Sequence, residues 1–309
     1  MESLLAGLRA AGEPTRLRLL ALCAHGELSV TELTQILGQS QPRVSRHLKL
    51  LVEAGLLTRF REGSLVFYRI ADSGESAHLA RTLVDLLPDD DNELSRDLVR
   101  LDRIRQKRAE IAESYFQENA GQWNKIRALH VPEADVEARL RELVGSARIG
   151  SFLDIGTGTG RMLELFAGQM DRGVGLDLSG EMLAVARTQL EKDEYRHLQV
   201  RKGDMYNMPI DDQSVDVATL HLVLHYSLEP ASVIIEAART LAPGGRLFIV
   251  DFAAHQEERL RAEHKHQRLG FSDREIHQAM VSAGLEPGPV DSLSGDPLTV
   301  KFWQGSRLH

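Results

Sequence analysis

The sequence predicts two domains of different class: an N-terminal, mainly α domain closed by a β-hairpin, and a C-terminal α/β domain with a mostly parallel sheet. Three observations carry this. The chain has 309 residues, enough for two domains of about 100–200 residues each. Its hydrophobic pattern changes near Ala147, from helical periodicity to short apolar runs alternating with helical segments. Its formal charge of −8 is uneven: residues 1–75 hold 9 Lys/Arg against 8 Asp/Glu, so the acidity belongs to the remainder.

Composition narrows the class further. With 42% hydrophobic and 27% charged residues, the chain reads as an ordinary soluble globular protein. No apolar run approaches the ~18 residues of a membrane span, and the N-terminus has no signal-peptide pattern. The single cysteine, Cys23, can form no internal disulfide and no multi-cysteine metal site. The expectation is a cytoplasmic protein with no membrane partner and no metal.

Within the first domain, Pro14 to Cys23 reads as a helix, with proline in its first turn and Leu17, Leu20 and Leu22 on an apolar face. Gly26 breaks the pattern. Ser29-Val30-Thr31-Glu32 has the form of a capping box and opens a helix to Leu37, which Gly38 ends. Ser40 is placed to cap the next helix, with Pro42 in its first turn and Gly55 beyond its end. Two short helices about a glycine turn form a helix-turn-helix.

In the second helix Val44, Leu48 and Leu51 stand at i, i+4 and i+7 and form the buried stripe. Gln41, Arg43, Ser45, Arg46 and Lys49 then project outward, beside His47. Arg and Gln suit base edges in the major groove, and Lys and Ser suit phosphates. Leu57–Phe60 and Leu65–Ile70 flank Arg61-Glu62-Gly63-Ser64 and read as a β-hairpin wing. Its Arg59, Arg61 and Arg69 are candidates for backbone contacts.

The stretch from "EPTRLRLLALCAHGELSVTELTQILGQSQPRVSRHLKLLVEAGLL" to "FREGSLVFYRI" resembles the ArsR/SmtB winged-helix repressors over about residues 4–72. The resemblance implies a homodimer on a palindromic operator in double-stranded DNA, bound through Ser40, Gln41, Arg43, Ser45, Arg46, His47, Lys49 and Arg61. Ser29 and Thr31 stand where metal-sensing members carry cysteines. Cys23 and His25 alone make a poor soft-metal site.

Residues 76–110 read as a helical linker or dimerisation region. Leu79, Leu83 and Leu86 form one seam, and Leu94, Leu98, Leu101, Ile104 and Ile111 a second, which is expected to pack on the partner subunit or the second domain. Five bases between Arg100 and Arg108 read as a solvated face rather than a DNA contact.

In the second domain the apolar runs Ser151–Ile155, Gly173–Leu178, Leu198–Val200, Val215–Leu220 and Arg246–Val250 read as strands. Helical patterns fall at Met162–Gln169, Gly180–Leu190, Ala231–Leu241 and Asp273–Ala283. Alternating βα units imply a parallel sheet with helices on both faces and ligands at the strands' carboxyl ends. The first strand ends in "LDIGTGTGRM", where Gly156, Gly158 and Gly160 permit a tight turn and a close ligand. The second ends at Asp177, which can accept hydrogen bonds from ribose hydroxyls. The third unit places Asp204 and Met205 at the next tip, suited to an adenine amino group and face.

As a set, over about residues 110–309, these pieces resemble a class I S-adenosylmethionine (SAM) methyltransferase of the small-molecule type. The resemblance implies a Rossmann-like fold holding SAM or its product S-adenosylhomocysteine (SAH). Asp154, Gly156, Thr157, Gly158 and Gly160 would lie at the amino-acid moiety, and Asp177 and Leu178 at the ribose. Met182, Asp204 and Met205 would lie at adenine, although core packing explains Met182 equally well. His221 and Leu222 would line the site near the methyl group. A lid helix before the first strand would bring Tyr115, with Phe116 and Trp123, over the sulfonium.

Candidate bases are His221 and His225, with His255, His264 and His266 behind them; the last two, in "EHKHQ", read as surface residues. The lone cysteine argues against arsenite as acceptor, and no "NPPY"-type loop follows the fourth strand, which leaves a small-molecule acceptor. The expected organisation is a winged helix-turn-helix over 1–75, the helical linker over 76–110 and the methyltransferase-like domain with its lid over 111–309. The expected function is a transcriptional regulator that couples SAM or SAH to operator binding, with methionine or one-carbon metabolism suggested by the ligand. The alternative is a working small-molecule methyltransferase with an autoregulatory DNA-binding domain.

Overall fold

The computed structural model describes residues 1–62, 65–71, 74–88, 90–107, 132–264 and 266–308, with the side chains of all of these but 62 and 262–264. They form two compact units, the first running to residue 107 and including Glu191–Arg196, the second holding the remainder.

The first unit contains α1 (Glu2–Ala11), α2 (Pro14–Ala24), β1 (Leu28–Ser29), α3 (Val30–Leu37), α4 (Gln41–Glu53), β2 (Leu57–Glu62), β3 (Leu65–Ile70), α5 (Glu75–Asp85) and a helix over 92–107, α6. Helix α2 starts where proline at its first turn predicts, and Glu13 caps it by accepting the Arg16 N–H. β2 and β3 form the expected antiparallel hairpin, and β1 adds a third strand against β3. Leu19, Leu20, Leu33, Ile36, Val44, Leu48 and Leu51 are buried together.

The connector departs from expectation. Leu79, Leu83, Leu101 and Ile104 pack into this same core, so these seam positions are satisfied inside the first unit. Ion pairing reinforces the packing. Asp97 of α6 is 1% exposed and accepts two hydrogen bonds from the Arg18 guanidinium of α2, at 2.6 and 2.8 Å.

The second unit begins with α7 (Glu133–Val144). It continues through β4 (Ile149–Ile155), α8 (Arg161–Phe166), β5 (Met170–Asp177), α9 (Gly180–Gln189), β6 (Leu198–Lys202), β7 (Val215–His221), α10 (Pro230–Thr240) and β8 (Leu241–Phe252). It ends with α11 (Arg259–His264), α12 (Asp273–Ser282), β9 (Leu285–Pro287), β10 (Asp291–Leu293) and β11 (Val300–Arg307). All five predicted strands are present.

The strand order is β10-β11-β8-β7-β4-β5-β6, with β9 also on β11. The strands from β8 to β6 run parallel, and β11 is antiparallel to β8. Side chains of β4 alternate between two buried faces. Leu153 and Ile155 pack with Ile234 and Ala237 of α10 and with Ile276 of α12, while Phe152 meets Phe166 of α8 at 5.3 Å between ring centroids. The chain moves outward from β4 to β5 and β6, then returns to place β7 on β4's other side. That reversal opens a crevice at the carboxyl ends of β4 and β7, the usual ligand position in such sheets.

Candidate functional site

Two sites are assembled, one in each unit. In the first, the capping box is complete: Ser29 Oγ accepts the Glu32 N–H at 3.3 Å and the Glu32 carboxylate accepts the Ser29 N–H at 2.7 Å. Gly38 ends α3 in the left-handed conformation, φ 63°. Because Val44, Leu48 and Leu51 are fully buried, Gln41, Arg43, Arg46 and Lys49 stand exposed on the opposite face of α4, with Ser45 half-buried.

Three expectations need correction here. Ser40 occupies the N-cap position of α4, but its side chain makes no capping bond. His47 turns toward Glu13, 3.5 Å from its carboxylate, and is only half-exposed. Arg69 of the wing faces Glu27 at 3.7 Å with both side chains largely buried, which leaves Arg59 and Arg61 as the exposed arginines of β2. Two α6 arginines read as a solvated face also have work inside the unit: Arg100 donates to the Ile36 carbonyl of α3 at 2.7 Å, and Arg105 to the His25 carbonyl beyond α2 at 3.0 Å.

In the second unit, Gly156, Gly158 and Gly160 follow β4 with φ of 74°, 54° and 84°. Gly156 also admits a close neighbour, since a Cβ there would lie 2.3 Å from Val223 Cγ2. Asp177 ties this loop to the next helix. Its carboxylate accepts the Gly158 N–H and the Ser179 N–H, each at 2.8 Å, and about two of its four lone-pair positions stay available. Asp154, 1% exposed, accepts from Oγ1 of Thr219, its register partner on β7, at 2.7 Å. Burial pushes its carboxyl up to about 6, against the pull of the hydrogen bond from Thr219.

The rest of the edge is less enclosed. Leu178 is exposed beyond β5, Met182 is half-buried in the first turn of α9, and Met205 is half-buried against the core. Asp204 is exposed and accepts the Tyr206 N–H at 3.0 Å. His221 ends β7, half-buried. Leu222 holds φ 51°, a conformation non-glycine residues adopt rarely and often at functional sites, and its N–H bonds the Val250 carbonyl of β8 at 2.8 Å. Tyr115, Phe116 and Trp123 lie outside the described residues.

The histidines separate clearly. His225 is buried, and its ring Nδ1 lies 2.8 Å from the fully buried Asp251 carboxylate, which also accepts the His225 main-chain N–H at 3.1 Å. His266 is buried as well, contrary to the surface reading, and stacks on His225 at 4.0 Å. His264 ends α11, and its side chain is outside those described. Sequence reasoning missed Asp251. The signal was an acid at a strand tip, as with Asp154 and Asp177. Among the described residues no group of three or more His, Cys, Asp or Glu side chains could hold a metal ion. Cys23 is buried, which raises its thiol above the ordinary range.

A reader helix with a winged hairpin and a Rossmann-like crevice with a glycine loop and strand-tip carboxylates define a DNA-binding domain joined to a SAM-dependent methyltransferase domain. The left-handed glycines and the remaining acceptor capacity of Asp177 fit that cofactor. Residues 13–59 match the bacterial regulatory protein arsR family, and residues 153–249 match the methyltransferase domain family. The chain belongs to the methyltransferases and carries an ArsR-type helix-turn-helix at its N-terminus.

The arsenic resistance transcriptional regulator ArsR1 of Pseudomonas putida is 51% identical over 59 residues, 19% of this chain and 46% of that one. Phosphatidylethanolamine N-methyltransferase of Cereibacter sphaeroides is 31% identical over 148 residues, 46% and 72% of the two chains. An arsenite methyltransferase of Halobacterium salinarum is 31% identical over 104 residues, 32% and 26%. The chain spans less than half the length of two of these relatives, the arsenic resistance regulator and the arsenite methyltransferase. Geranyl diphosphate C-methyltransferase of Streptomyces coelicolor, solved with S-adenosylhomocysteine, shares the fold with a TM-score of 0.51 at 17% identity, covering 57% of this chain and 78% of that one. No helix among the described residues is long and apolar enough to cross a membrane.

Proposed function

We propose that the chain is a transcriptional regulator whose methyltransferase domain binds SAM or SAH and couples that ligand to operator binding. One observation carries the reading: a single chain presents both an exposed basic recognition face on α4 and a glycine-and-carboxylate crevice at β4 and β7. Arg43, Arg46 and Lys49 would meet DNA, with Gln41, Ser40, Ser45 and the wing's Arg61 beside them.

Asp177 and the exposed Leu178 would hold the ribose, and Asp154 with the Gly156-Thr157-Gly158 loop and Gly160 the amino-acid end. Met182, Asp204 and Met205 would enclose adenine. His221 and Leu222 would face the methyl group, which SAM supplies in electrophilic form on a sulfonium. A ligand shifts DNA affinity only by binding the DNA-competent and incompetent states unequally.

A homodimer is part of this reading. Leu4, Leu5 and Leu8 of α1 are 42–45% exposed and offer an apolar stripe to a second copy. Operator affinity measured without ligand, with SAM and with SAH tests the coupling, and three equal values would end it. Replacing Asp177 by Ala should remove SAM binding.

A second reading is turnover on a small-molecule acceptor. The buried His225–Asp251 pair favours it, because a domain that only binds SAM has no need of an oriented imidazole at that edge. Methyl-labelled SAM incubated with a bacterial metabolite extract should then yield a labelled small product.

A further inference from the structure

The segment that follows β7 links the cofactor crevice to a buried polar cluster. Ile155 of β4, Leu220 of β7 and Ile249 of β8 are aligned partners across the sheet. The carboxyl edge therefore continues through Gly156, His221 and Val250, with Asp251 one residue further. Val223 packs against Gly156 at one end of the segment, and His225 meets Asp251 at the other.

Asp251 is fully buried. Removing a carboxylate from water costs several kcal/mol unless partners compensate. Among the described residues its partners are the His225 ring, the His225 N–H and the Phe252 N–H, with no lysine or arginine. The 2.8 Å contact fits an Nδ1–H of His225 donating to the carboxylate. The tautomer follows from this network: neutral His225 presents its lone pair on Nε2.

The neighbouring His255 is engaged differently. His255 Nδ1 accepts the Glu257 N–H at 3.2 Å, so in the neutral ring its lone pair is already engaged. His266 stacks on the His225 ring at 4.0 Å between centroids, tilted by 30°. The groups facing His225 are thus Asp251 from β8, Tyr226 beside it, His266 at 4.0 Å and His255, which interacts electrostatically with both His225 and Asp251.

We propose that His225, held in tautomer and orientation by Asp251, is the general base of the acceptor half of the site, and that the methyl acceptor is a small molecule whose attacking atom is a hydroxyl oxygen or thiol sulfur. The inference rests on the turnover reading above. In the step, the acceptor's O–H or S–H bond breaks and the proton passes to His225 Nε2. The electron pair left on that atom forms the new bond to the methyl carbon. The methyl–sulfonium bond breaks with its pair staying on sulfur, so a neutral thioether leaves and the positive charge ends on the imidazolium. Asp251 is a positioning residue, stabilising that imidazolium as the carboxylate of a catalytic triad does.

The test uses the full chain, methyl-labelled SAM and a panel of phenols, aliphatic alcohols and thiols alongside the metabolite extract. His225→Gln should lower kcat about 100-fold or more, with the SAH dissociation constant within about threefold of the parent, since the ring is not placed on the cofactor. The parent's rate should rise with pH through one ionisation that H225Q lacks. Asp251→Asn should lower kcat without a matching change in KM.

Nitrogen-15 spectra of the histidine-labelled protein with SAH give a readout independent of turnover, and should show His225 protonated at Nδ1 and bare at Nε2. An Nε2–H tautomer, an H225Q protein as fast as the parent, or a product methylated at an atom that held no proton would each overturn the proposal. A parent that binds SAH yet labels nothing would overturn the turnover reading itself, and the base with it.

Discussion

The two units bury carboxylates in opposite ways. In the first, Asp97 is 1% exposed and fully engaged by the Arg18 guanidinium through two hydrogen bonds. In the second, Asp154 and Asp251 are equally buried, yet their recorded partners are hydroxyls, backbone N–H groups and one imidazole. A guanidinium neutralises a buried acid permanently and leaves it nothing further to do. Hydroxyls and an imidazole leave it charge to share with a bound molecule or a moving proton. The first arrangement fixes a scaffold, and the second stores electrostatic cost at a working edge.

The largest expected effect breaks the first side of this contrast. Arg18→Met takes both hydrogen bonds from the buried Asp97 and leaves only the longer contact to Arg100 at 3.8 Å, and should cost the first unit about 3 kcal/mol. Urea unfolding followed on that unit's transition measures it. The double variant R18M/D97L should recover most of the loss, because a matched apolar pair replaces a matched ionic one. A single-variant loss below about 1 kcal/mol would mean that the pair is no scaffold.

Asp154→Asn probes the other side and should act in the opposite direction. The Asp154 carboxyl sits at about 6 in the folded chain against an ordinary 3.8. Between those values the folded state holds a proton that the unfolded state has released, so stability falls as pH rises through that window. The shift corresponds to about 3 kcal/mol lost above pH 6. The asparagine variant should therefore unfold later than the parent at pH 8 and alike at pH 4. Its SAM affinity should fall, since the charge proposed to meet the ligand's amino-acid end is gone. Nearby Asp177 adds to the upward shift, so Asp177→Asn should narrow the window.

The glycine loop sharpens the contrast on a smaller scale. Gly156→Ala must fit a Cβ at 2.3 Å from Val223 Cγ2 and at φ 74°, and should cost about 2–3 kcal/mol and most SAM binding. Gly158→Ala meets no atom within 4 Å and bears only the left-handed penalty, about 1 kcal/mol. Thermal unfolding and SAM calorimetry of the two variants separate close approach from backbone conformation.

How far each region could be read from sequence follows the range of its interactions. The capping box at Ser29 and Glu32, the glycine that ends α3 and the Val44-Leu48-Leu51 stripe are set within one or two turns, and all stand as expected. Of the five parallel strands, β4, β7 and β8 carry near-continuous apolar runs, and all five were found. β1, β9, β10 and β11 carry weaker patterns: β1 has two residues, and β9 and β10 have three each. The connector seam was visible as helix, but its partner was not, because Leu101 and Ile104 join a core whose other members come from residues 10–84. Asp251 on β8 and His225, four residues past the end of neighbouring β7, are 26 residues apart, and only the sheet brings them together.

The recognition helix supplies the smallest and most specific test, because its residues divide by how much their charge is already used. Arg43 and Arg46 are exposed and make no ion pair among the described residues, Lys49 lies 3.7 Å from Glu53 of the same helix, and His47 lies 3.5 Å from Glu13. An exposed lysine–glutamate pair four residues apart is worth a few tenths of a kcal/mol, so Lys49 remains available to a phosphate. Arg46→Ala should weaken operator binding by about 1–3 kcal/mol if it reads a base, or lower the salt slope by about one if it meets a phosphate. His47→Ala should change operator affinity much less and instead loosen the contact with the α2 cap. A titration of both variants at several salt concentrations distinguishes the two roles. Equal losses for Arg46 and His47 would show that the outward and inward sides of α4 are wrongly divided.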